Sequence, residues 1–187
     1  MKRSERGFTL IEILLVMAIV ALIAGAATMA TFQVINVTNR SNNHMTVIRQ
    51  VQNAGYWISH DALMAESVIT GNLTPPDFLF LTFTWTEWGY EDDHHGEDTI
   101  YHLVTYSFSF QDLSDGIGKL RRTHWSTAGA NEQTLVAQYV YYNQDDLDDP
   151  DNPTASSDNS VLTMQITASL GEAEETREYT VWHRPNF

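Results

Sequence analysis

An uncharged stretch near the N-terminus constrains this chain more than any other feature. No Asp, Glu, Lys or Arg occurs from Ile13 to Asn39, and in the 23 residues from Phe8 to Ala30 the only charge is Glu12. The stretch is rich in Leu, Ile, Ala and Met, most of which favour helix. Because about 20 apolar residues in a helix cross a bilayer, the sequence predicts a membrane-spanning helix at this end.

Basic residues flank this helix on its N-terminal side. They are Lys2, Arg3 and Arg6. The positive-inside rule therefore places residues 1–7 in the cytoplasm and the rest of the chain across the membrane. A cleaved secretory signal, cut near residues 24–26, is a second interpretation. Signal sequences have apolar runs of about 7–15 residues, whereas this run is longer and carries an acid near its start.

Glu12 is the residue that a simple membrane anchor does not explain. An ionised carboxylate at the centre of a membrane helix costs roughly 2.5–3.5 kcal/mol, and such residues usually have a partner and a function. A side chain that snorkels toward the cytoplasmic interface is the simpler alternative.

The segment Arg6-Gly7-Phe8-Thr9-Leu10-Ile11-Glu12 resembles the processing and assembly motif of type IV pilins and type II secretion pseudopilins. In that family a membrane-embedded prepilin peptidase cuts after the glycine and methylates the new N-terminus, and the apolar helix is retained. The resemblance implies that Gly7 precedes the cut and that Phe8 becomes the methylated terminus. It also implies that Glu12 pairs with the N-terminal ammonium of a neighbouring subunit. Since that pairing compensates a buried charge only when subunits align, Glu12 would set the axial register of a filament.

The helix is predicted to continue beyond the membrane. A polar, Asn-rich stretch at residues 33–46 is expected to bend or fray, and an apolar stripe at helical spacing follows it. The stripe consists of Ile48, Val51, Gly55, Ile58, Ala62, Ala65 and Ile69. We expect it to pack on the protein's own sheet, with a coiled contact to another subunit as the alternative. Gly71 and the following Pro75-Pro76 pair are expected to end the helix.

Beyond Pro76 the pattern changes to strands, which are rich in aromatic and β-branched residues. The clearest is a hairpin whose first strand alternates apolar and polar residues over 162–170. Residues 118–125 are a candidate edge strand, and residues 134–142 are a strand or a short helix that leads into one. Further strands are expected at 78–86 and 99–110. A long helix followed by strands predicts an α+β fold with an antiparallel sheet.

The β-rich part resembles the larger minor subunits of the same family, the J-type pseudopilins and the PilW-like minor pilins. The shared pattern is a Tyr-rich strand, a Leu-Arg-Arg strand, a Leu-Val-Ala segment and a closing strand that ends in His-Arg-Pro-Asn. These lie at residues 100–107, 120–122, 135–137 and 183–186.

Charge and composition exclude several functions. The chain has 10 Lys and Arg against 24 Asp and Glu, a net charge of -14, and no Cys. Phosphate neutralisation needs clustered cations, so we expect no direct contact with nucleic acid. The lack of Cys excludes disulfides and Cys-ligated metals. Removal of residues 1–7 takes away three basic residues and one acidic residue, which leaves a net charge of -16.

Two acidic loops are candidate metal sites. The first offers oxygen ligands that suit calcium, with a solvated acidic loop as the alternative. Its carboxylates are Asp145, Asp146, Asp148, Asp149, Asp151 and Asp158. The second loop, at 91–98, contains His94 and His95, which would suit a zinc ion or the active site of a membrane-anchored metal-dependent hydrolase. Adjacent loop residues, however, rarely converge on one ion. Histidines within predicted strands, such as His102 and His124, are expected to be structural.

The sequence thus predicts four segments. They are a leader at 1–7, a membrane and filament-core helix at 8–31, an amphipathic helix at 32–70 and a β-rich head at 71–187. We expect a non-enzymatic pilin-like subunit of the bacterial inner membrane, with a cytoplasmic N-terminus and a periplasmic or extracellular head. Its expected partners are prepilin peptidase and other pilin or pseudopilin subunits. A membrane-anchored binding module that forms no filament is the alternative.

Overall fold

One helix and eight strands make up the described part of the chain. A computed structural model describes residues 8–71, 73, 78–90, 97–110, 116–158 and 160–184. The helix is α1, Leu10–Met64. The strands are β1 Ser67–Thr70, β2 Leu79–Tyr90, β3 Glu97–Phe110, β4 Ile117–Ser126, β5 Gly129–Tyr141, β6 Thr154–Asp158, β7 Val161–Leu170 and β8 Ala173–Trp182.

The chain divides at Asn42/Asn43 into two compact units, the second of which extends to Phe187. In the first unit every described residue is exposed, whereas the second unit contains all the buried core residues, from Val47 to Val181. Residues 33–46 are helical throughout, so the fraying predicted for the Asn-rich stretch does not occur. The proposed segment boundary at residue 31 stays a prediction.

The end of the helix differs from the prediction. The helix ends at Met64 rather than near Gly71, because residues 67–70 form β1 and pair with Thr84 to Leu81 of β2. Ile69, the last member of the predicted helical stripe, is therefore on a strand and is 57% exposed. The β-branched residues Val68, Ile69 and Thr70 fit a pleated strand well, and the pairing with β2 overrides the helical spacing.

Four members of the predicted stripe, Val51, Gly55, Ile58 and Ala62, are buried in the helix against the protein's own sheet, Ala65 is buried just after the helix ends, and Ile48 is only half-buried. The buried residues of the helix are Val47, Val51, Ala54, Gly55, Ile58, Asp61 and Ala62. Gly55 allows close contact with β8, since a Cβ added there would overlap the ring of Tyr179 unless that ring shifted. The Tyr179 hydroxyl donates a hydrogen bond to the carbonyl oxygen of Val51 at 3.0 Å, which attaches this edge of the sheet to the helix.

The strands form one antiparallel sheet in the order β1-β2-β3-β4-β5-β7-β6, with β8 on the other side of β7. Every pairing between the described strands is antiparallel. The predicted α+β fold, a long N-terminal helix on an antiparallel sheet, is confirmed. The prediction of residues 134–142 as a strand is confirmed over the helical alternative.

The predicted edge position of residues 118–125 is wrong. These residues lie in β4, which pairs with β3 on one side and with β5 on the other. The cations on this strand are compatible with an internal position because successive side chains of a strand point to opposite faces of the sheet. Arg122 points into the core and is 8% exposed, while Lys119 and Arg121 lie on the opposite, outer face.

Candidate functional site

The first helical turn is closed by reciprocal hydrogen bonds between Thr9 and Glu12. Oε2 of Glu12 accepts hydrogen bonds from the backbone N–H and the hydroxyl of Thr9, both at 3.2 Å. The Glu12 N–H lies 3.4 Å from Oγ1 of Thr9. This arrangement is a capping box, in which a Thr at the N-cap and a Glu three residues later satisfy each other's free donors. The carboxylate therefore has a partner within its own chain.

Capping leaves Glu12 free to bind a further donor. A carboxylate has about four lone-pair positions, and the Thr9 contacts use one of its two oxygens. Phe8 is 82% exposed at the start of the described chain. Gly7 and the remainder of the predicted leader lie outside the described residues, so the cut and the register role of Glu12 stay predictions.

The N-terminal half of the helix carries an exposed apolar surface. Among the described residues one helix, Leu10–Met64, is long and apolar enough to cross a membrane, and an 18-residue window of it has a mean hydropathy of 2.7 with none of it buried. Leu22, for example, is 74% exposed. Apolar surface gains about 25 cal/mol per Å² when it is removed from water. This surface therefore favours an apolar environment such as the interior of a bilayer.

A buried ion pair that the sequence reasoning missed connects the helix to the sheet. Asp61 of the helix is 1% exposed and binds Arg122 of β4 through two hydrogen bonds, from Nε at 2.7 Å and from Nη2 at 2.9 Å. The hydroxyl of Tyr106 on β3 donates to the same carboxylate at 2.5 Å. The guanidinium carbon of Arg122 lies 5.3 Å from the centre of the Trp57 ring. These contacts fix the rotation and axial position of the helix on the sheet.

Electrostatics at this pair match its geometry. Burial, followed by the charge and the hydrogen bond of Asp61, raises the pKa of Tyr106. Burial acts to lower the pKa of Arg122, but the hydrogen bonds and the charge of Asp61 outweigh it and raise that pKa. Arg122 therefore stays charged and Tyr106 stays a neutral donor at physiological pH.

Two histidines on β3 and β4 share a hydrogen bond beside this pair. Nδ1 of His102 and Nε2 of His124 are 3.0 Å apart, and the Trp85 ring is stacked on His102 with ring centres 5.0 Å apart. One ring must donate and the other accept, so at least one imidazole is neutral. Burial, and then the nearby charges of Arg122 and His102, lowers the pKa of His124. Both histidines thus contact other side chains of the sheet. Nε2 of His102 is buried and has no hydrogen-bond partner among the described residues, while it lies 3.3 Å from Oε2 of Glu87.

The predicted calcium site stays a prediction. Within the part of the chain that the structure describes, no three His, Cys, Asp or Glu side chains form a group that could hold one metal ion. Hydrogen bonds within the loop engage several of the carboxylates instead. Asp149 accepts from Tyr141 at 3.1 Å and from Asn143 at 2.9 Å, and Asn152 donates to the carbonyl oxygens of Asn143 and Asp146.

Other members of the predicted calcium set also take part in hydrogen bonds within the loop. Oδ1 of Asp146 accepts from the N–H of Asp148, and Oδ1 of Asp149 accepts from the N–H of Asp151. Asp145 donates its N–H to Asn143, and Asp158 lies at the end of β6. The pKa of Asp149 is lowered by the Asn143 amide first and by the Asp151 N–H second. His94 and His95 of the predicted 91–98 loop lie within 91–96, outside the described residues.

Residues 2–28 match the family model for the prokaryotic N-terminal methylation motif. The match covers the predicted cleavage segment, the capping box and most of the apolar helix. Comparisons with curated proteins and with solved structures gave no match. The motif is consistent with the type IV pilin and pseudopilin family, and it supports a prepilin-like protein. It implies processing by prepilin peptidase and assembly with pilin subunits, and the exposed apolar helix is consistent with anchoring in the inner membrane.

Proposed function

We propose that this chain is a prepilin-like structural subunit, with no catalytic activity of its own, that is processed at Gly7–Phe8 and assembled into a type IV pilus-like filament or a type II secretion pseudopilus. The observation that carries the proposal is the methylation motif at residues 2–28 followed directly by an exposed apolar helix. A helix kept after cleavage can leave the bilayer only for another apolar environment, and a bundle of identical or related helices supplies one.

In this proposal Glu12 has two successive roles. In the precursor its carboxylate caps the helix through Thr9. After cleavage the new α-ammonium at Phe8 of a neighbouring subunit approaches the same carboxylate and neutralises it in a medium of low dielectric constant. Since an unpaired buried charge is strongly unfavourable, subunits are stable only at the axial offset that brings the two groups together.

Substitutions at Glu12 separate capping from charge pairing. Glu12→Gln keeps an acceptor that can complete a capping box but carries no charge, whereas Glu12→Val removes both. We expect both variants to remain in the membrane fraction and both to fail to co-purify with other prepilins of the same cell. Thr28→Val, on the same apolar helix, is the matched control and should assemble normally. Normal assembly of Glu12→Gln would refute the charge-pairing role.

The head is proposed to act as a minor subunit of the J-type pseudopilin or PilW-like kind. The support is the order of strand motifs in the sequence and the lack of any Cys for a disulfide loop. In that role the head supplies a specific contact with another subunit at or near the tip of a filament. Deletion of the gene should then reduce the number of filaments or secretion without removing the major subunit, which quantitative blotting of sheared fractions would measure.

A further inference from the structure

Three large aromatic side chains are exposed on the outer face of the sheet. Trp88 of β2 is 71% exposed, Tyr101 of β3 is 55% exposed and Trp125 of β4 is 41% exposed. The helix lies on the other face, where its Asp61 binds Arg122. Since successive side chains of a strand alternate between faces, Trp125 points away from the helix. Exposed apolar patches of this kind mark interaction surfaces.

The three aromatic residues form a diagonal row across three strands. In the register of the sheet, Trp88 lies opposite Thr99, which is two residues before Tyr101 on β3. Trp125 lies opposite Leu103, which is two residues after Tyr101. Each aromatic residue is therefore the diagonal neighbour of the next at about 7–8 Å, so the row is about 15 Å long. We call Trp88, Tyr101 and Trp125 the aromatic row.

Oxygen atoms that can accept or donate hydrogen bonds border the aromatic row. Thr99 lies directly opposite Trp88, and Thr86 lies directly opposite Tyr101. The Thr86 hydroxyl donates to the carboxylate of Glu66 at 2.8 Å, which brings an acid to the side of the row. Hydroxyl and carboxylate oxygens both accept hydrogen bonds from hydroxyl groups. The border of the row therefore suits a ligand that is rich in hydroxyl groups.

The charges around the row disfavour an anionic ligand. The cations on the outer face of β4 are Lys119 and Arg121. Arg121, the nearer of the two, is four residues from Trp125, which is about 13 Å along a strand. The Glu66 carboxylate would repel a phosphate group, and a nucleic-acid strand needs clustered cations that the row lacks. The ligand that fits these charges is uncharged.

The size and composition of the row fit a narrow chain better than a protein surface. An aromatic side chain can bury about 150–250 Å², so the exposed fractions of the three correspond to roughly 250–400 Å² in all. A stable protein interface buries about 800 Å² on each partner. Thr is under-represented among the residues that dominate binding at protein interfaces, whereas Thr86 and Thr99 flank this row.

We propose that the aromatic row binds an uncharged, linear polysaccharide of β-linked hexopyranose rings, the class that contains cellulose and chitin. The ring substituents of these sugars are equatorial, so the C–H bonds point to the two ring faces and make them apolar. Successive rings pack their apolar faces on the three aromatic side chains, and their hydroxyl groups bond to Thr86 and Glu66. The head alone makes this contact, so the inference does not rest on assembly into a filament.

Binding to insoluble polysaccharide tests this assignment with the full chain in a detergent that has no sugar head group. Washed cellulose and chitin are each mixed with the protein, and the free protein is measured as its concentration is raised. We expect binding to at least one of them, with a Kd that rises about fivefold in Trp88→Ala, Tyr101→Ala or Trp125→Ala. Trp88→Ala combined with Trp125→Ala should raise it about 25-fold, since distant sites act additively.

Two further variants separate stacking on the row from other effects. Trp182→Ala removes a side chain that is 70% exposed on β8, outside the row, and should bind as the native chain does. Trp88→Tyr keeps an aromatic ring and should weaken binding less than Trp88→Ala. Because these side chains are exposed, the thermal unfolding midpoints of all variants should match that of the native chain.

Four results would overturn the proposal. The first is no binding to either polysaccharide. The second is an equal loss of binding in Trp182→Ala, which would indicate unspecific adsorption through exposed aromatic residues. The third is binding of a single-stranded DNA oligonucleotide that the substitutions in the row abolish. The fourth is association between copies of the chain that these substitutions abolish while polysaccharide binding is unchanged.

Discussion

Removal of Arg122 should destabilise the head far more than an ordinary substitution. The Asp61 side chain is 2% exposed and accepts hydrogen bonds from Arg122 Nε, Arg122 Nη2 and the Tyr106 hydroxyl. Arg122→Met keeps much of the aliphatic volume but leaves Asp61 with Tyr106 as its remaining donor. Breaking one partner of a buried ion pair costs about 3–5 kcal/mol, because the other charge stays desolvated. Loss of the guanidinium from the Trp57 ring adds about 0.5–1 kcal/mol.

Urea unfolding of a fragment of residues 43–187 measures this loss, since that unit contains all the buried core residues. With an m-value near 2 kcal/mol per molar urea, a loss of about 4 kcal/mol lowers the midpoint by about 2 M. Arg121→Met is the matched control. It changes the neighbouring cation on the outer face, and we expect an effect within about 0.5 kcal/mol.

A double variant tests whether the unpaired charge causes the loss. Asp61→Leu combined with Arg122→Met removes both charges, and replacing a whole buried pair by apolar residues is often neutral or stabilising. The double variant should therefore be more stable than Arg122→Met alone. A loss below about 1 kcal/mol for the single variant, or additive losses in the double variant, would refute the reasoning.

Three further perturbations test other parts of the head. Burial raises the pKa of Tyr106, so folding favours its neutral form. The free energy of unfolding therefore falls once the unfolded tyrosine ionises above pH 10. By pH 11 the native protein should lose about 1.4 kcal/mol of that free energy more than Tyr106→Phe loses, as measured by urea titrations at each pH. Gly55→Ala pushes a Cβ into the Tyr179 ring and should cost about 1–3 kcal/mol in thermal unfolding, whereas a neutral result would mean that the helix and β8 separate easily. Asn152→Ala removes two donors and an acceptor that hold the acidic loop. Amide hydrogen exchange in the loop should therefore accelerate, and the free energy of unfolding should fall by about 1–3 kcal/mol. Equal acceleration of exchange by Asp148→Ala would contradict this.

The local features of the chain could be predicted from its sequence. The apolar helix needs only its own composition, and the capping box joins two residues three positions apart. The β7–β8 hairpin was visible because its apolar residues alternate on one strand, and the two strands pair from Val161–Trp182 to Leu170–Ala173. These signals depend on neighbours in sequence, so no knowledge of the rest of the fold was required.

Features that depend on distant partners could not be predicted in the same way. Ile69 fits the helical spacing of Ile58 and Ala62, but pairing with Thr82 of β2 places it on a strand. Whether β4 lies at an edge depends on β5, which follows it through a two-residue turn.

The Asp61–Arg122 pair was detectable in principle. Asp61 lies at helical spacing with Ala54 and Ile58 on the buried face, and Arg122 alternates with Leu120 on the buried face of β4. An acid and a base on two apolar faces predict a buried pair. The carboxylates of the acidic loop could be counted from the sequence, but their hydrogen-bond partners, Tyr141 and Asn143 among them, could not be predicted from it.

Mass spectrometry of the mature N-terminus tests the central claim most directly. The protein would be purified from membranes of cells that contain prepilin peptidase and digested to release its N-terminal peptide. The account predicts a peptide that begins at Phe8 with one methyl group on its α-amine, and an intact mass that lacks residues 1–7. A chain that begins near Ala27, or one that retains Met1 in peptidase-containing cells, would contradict it.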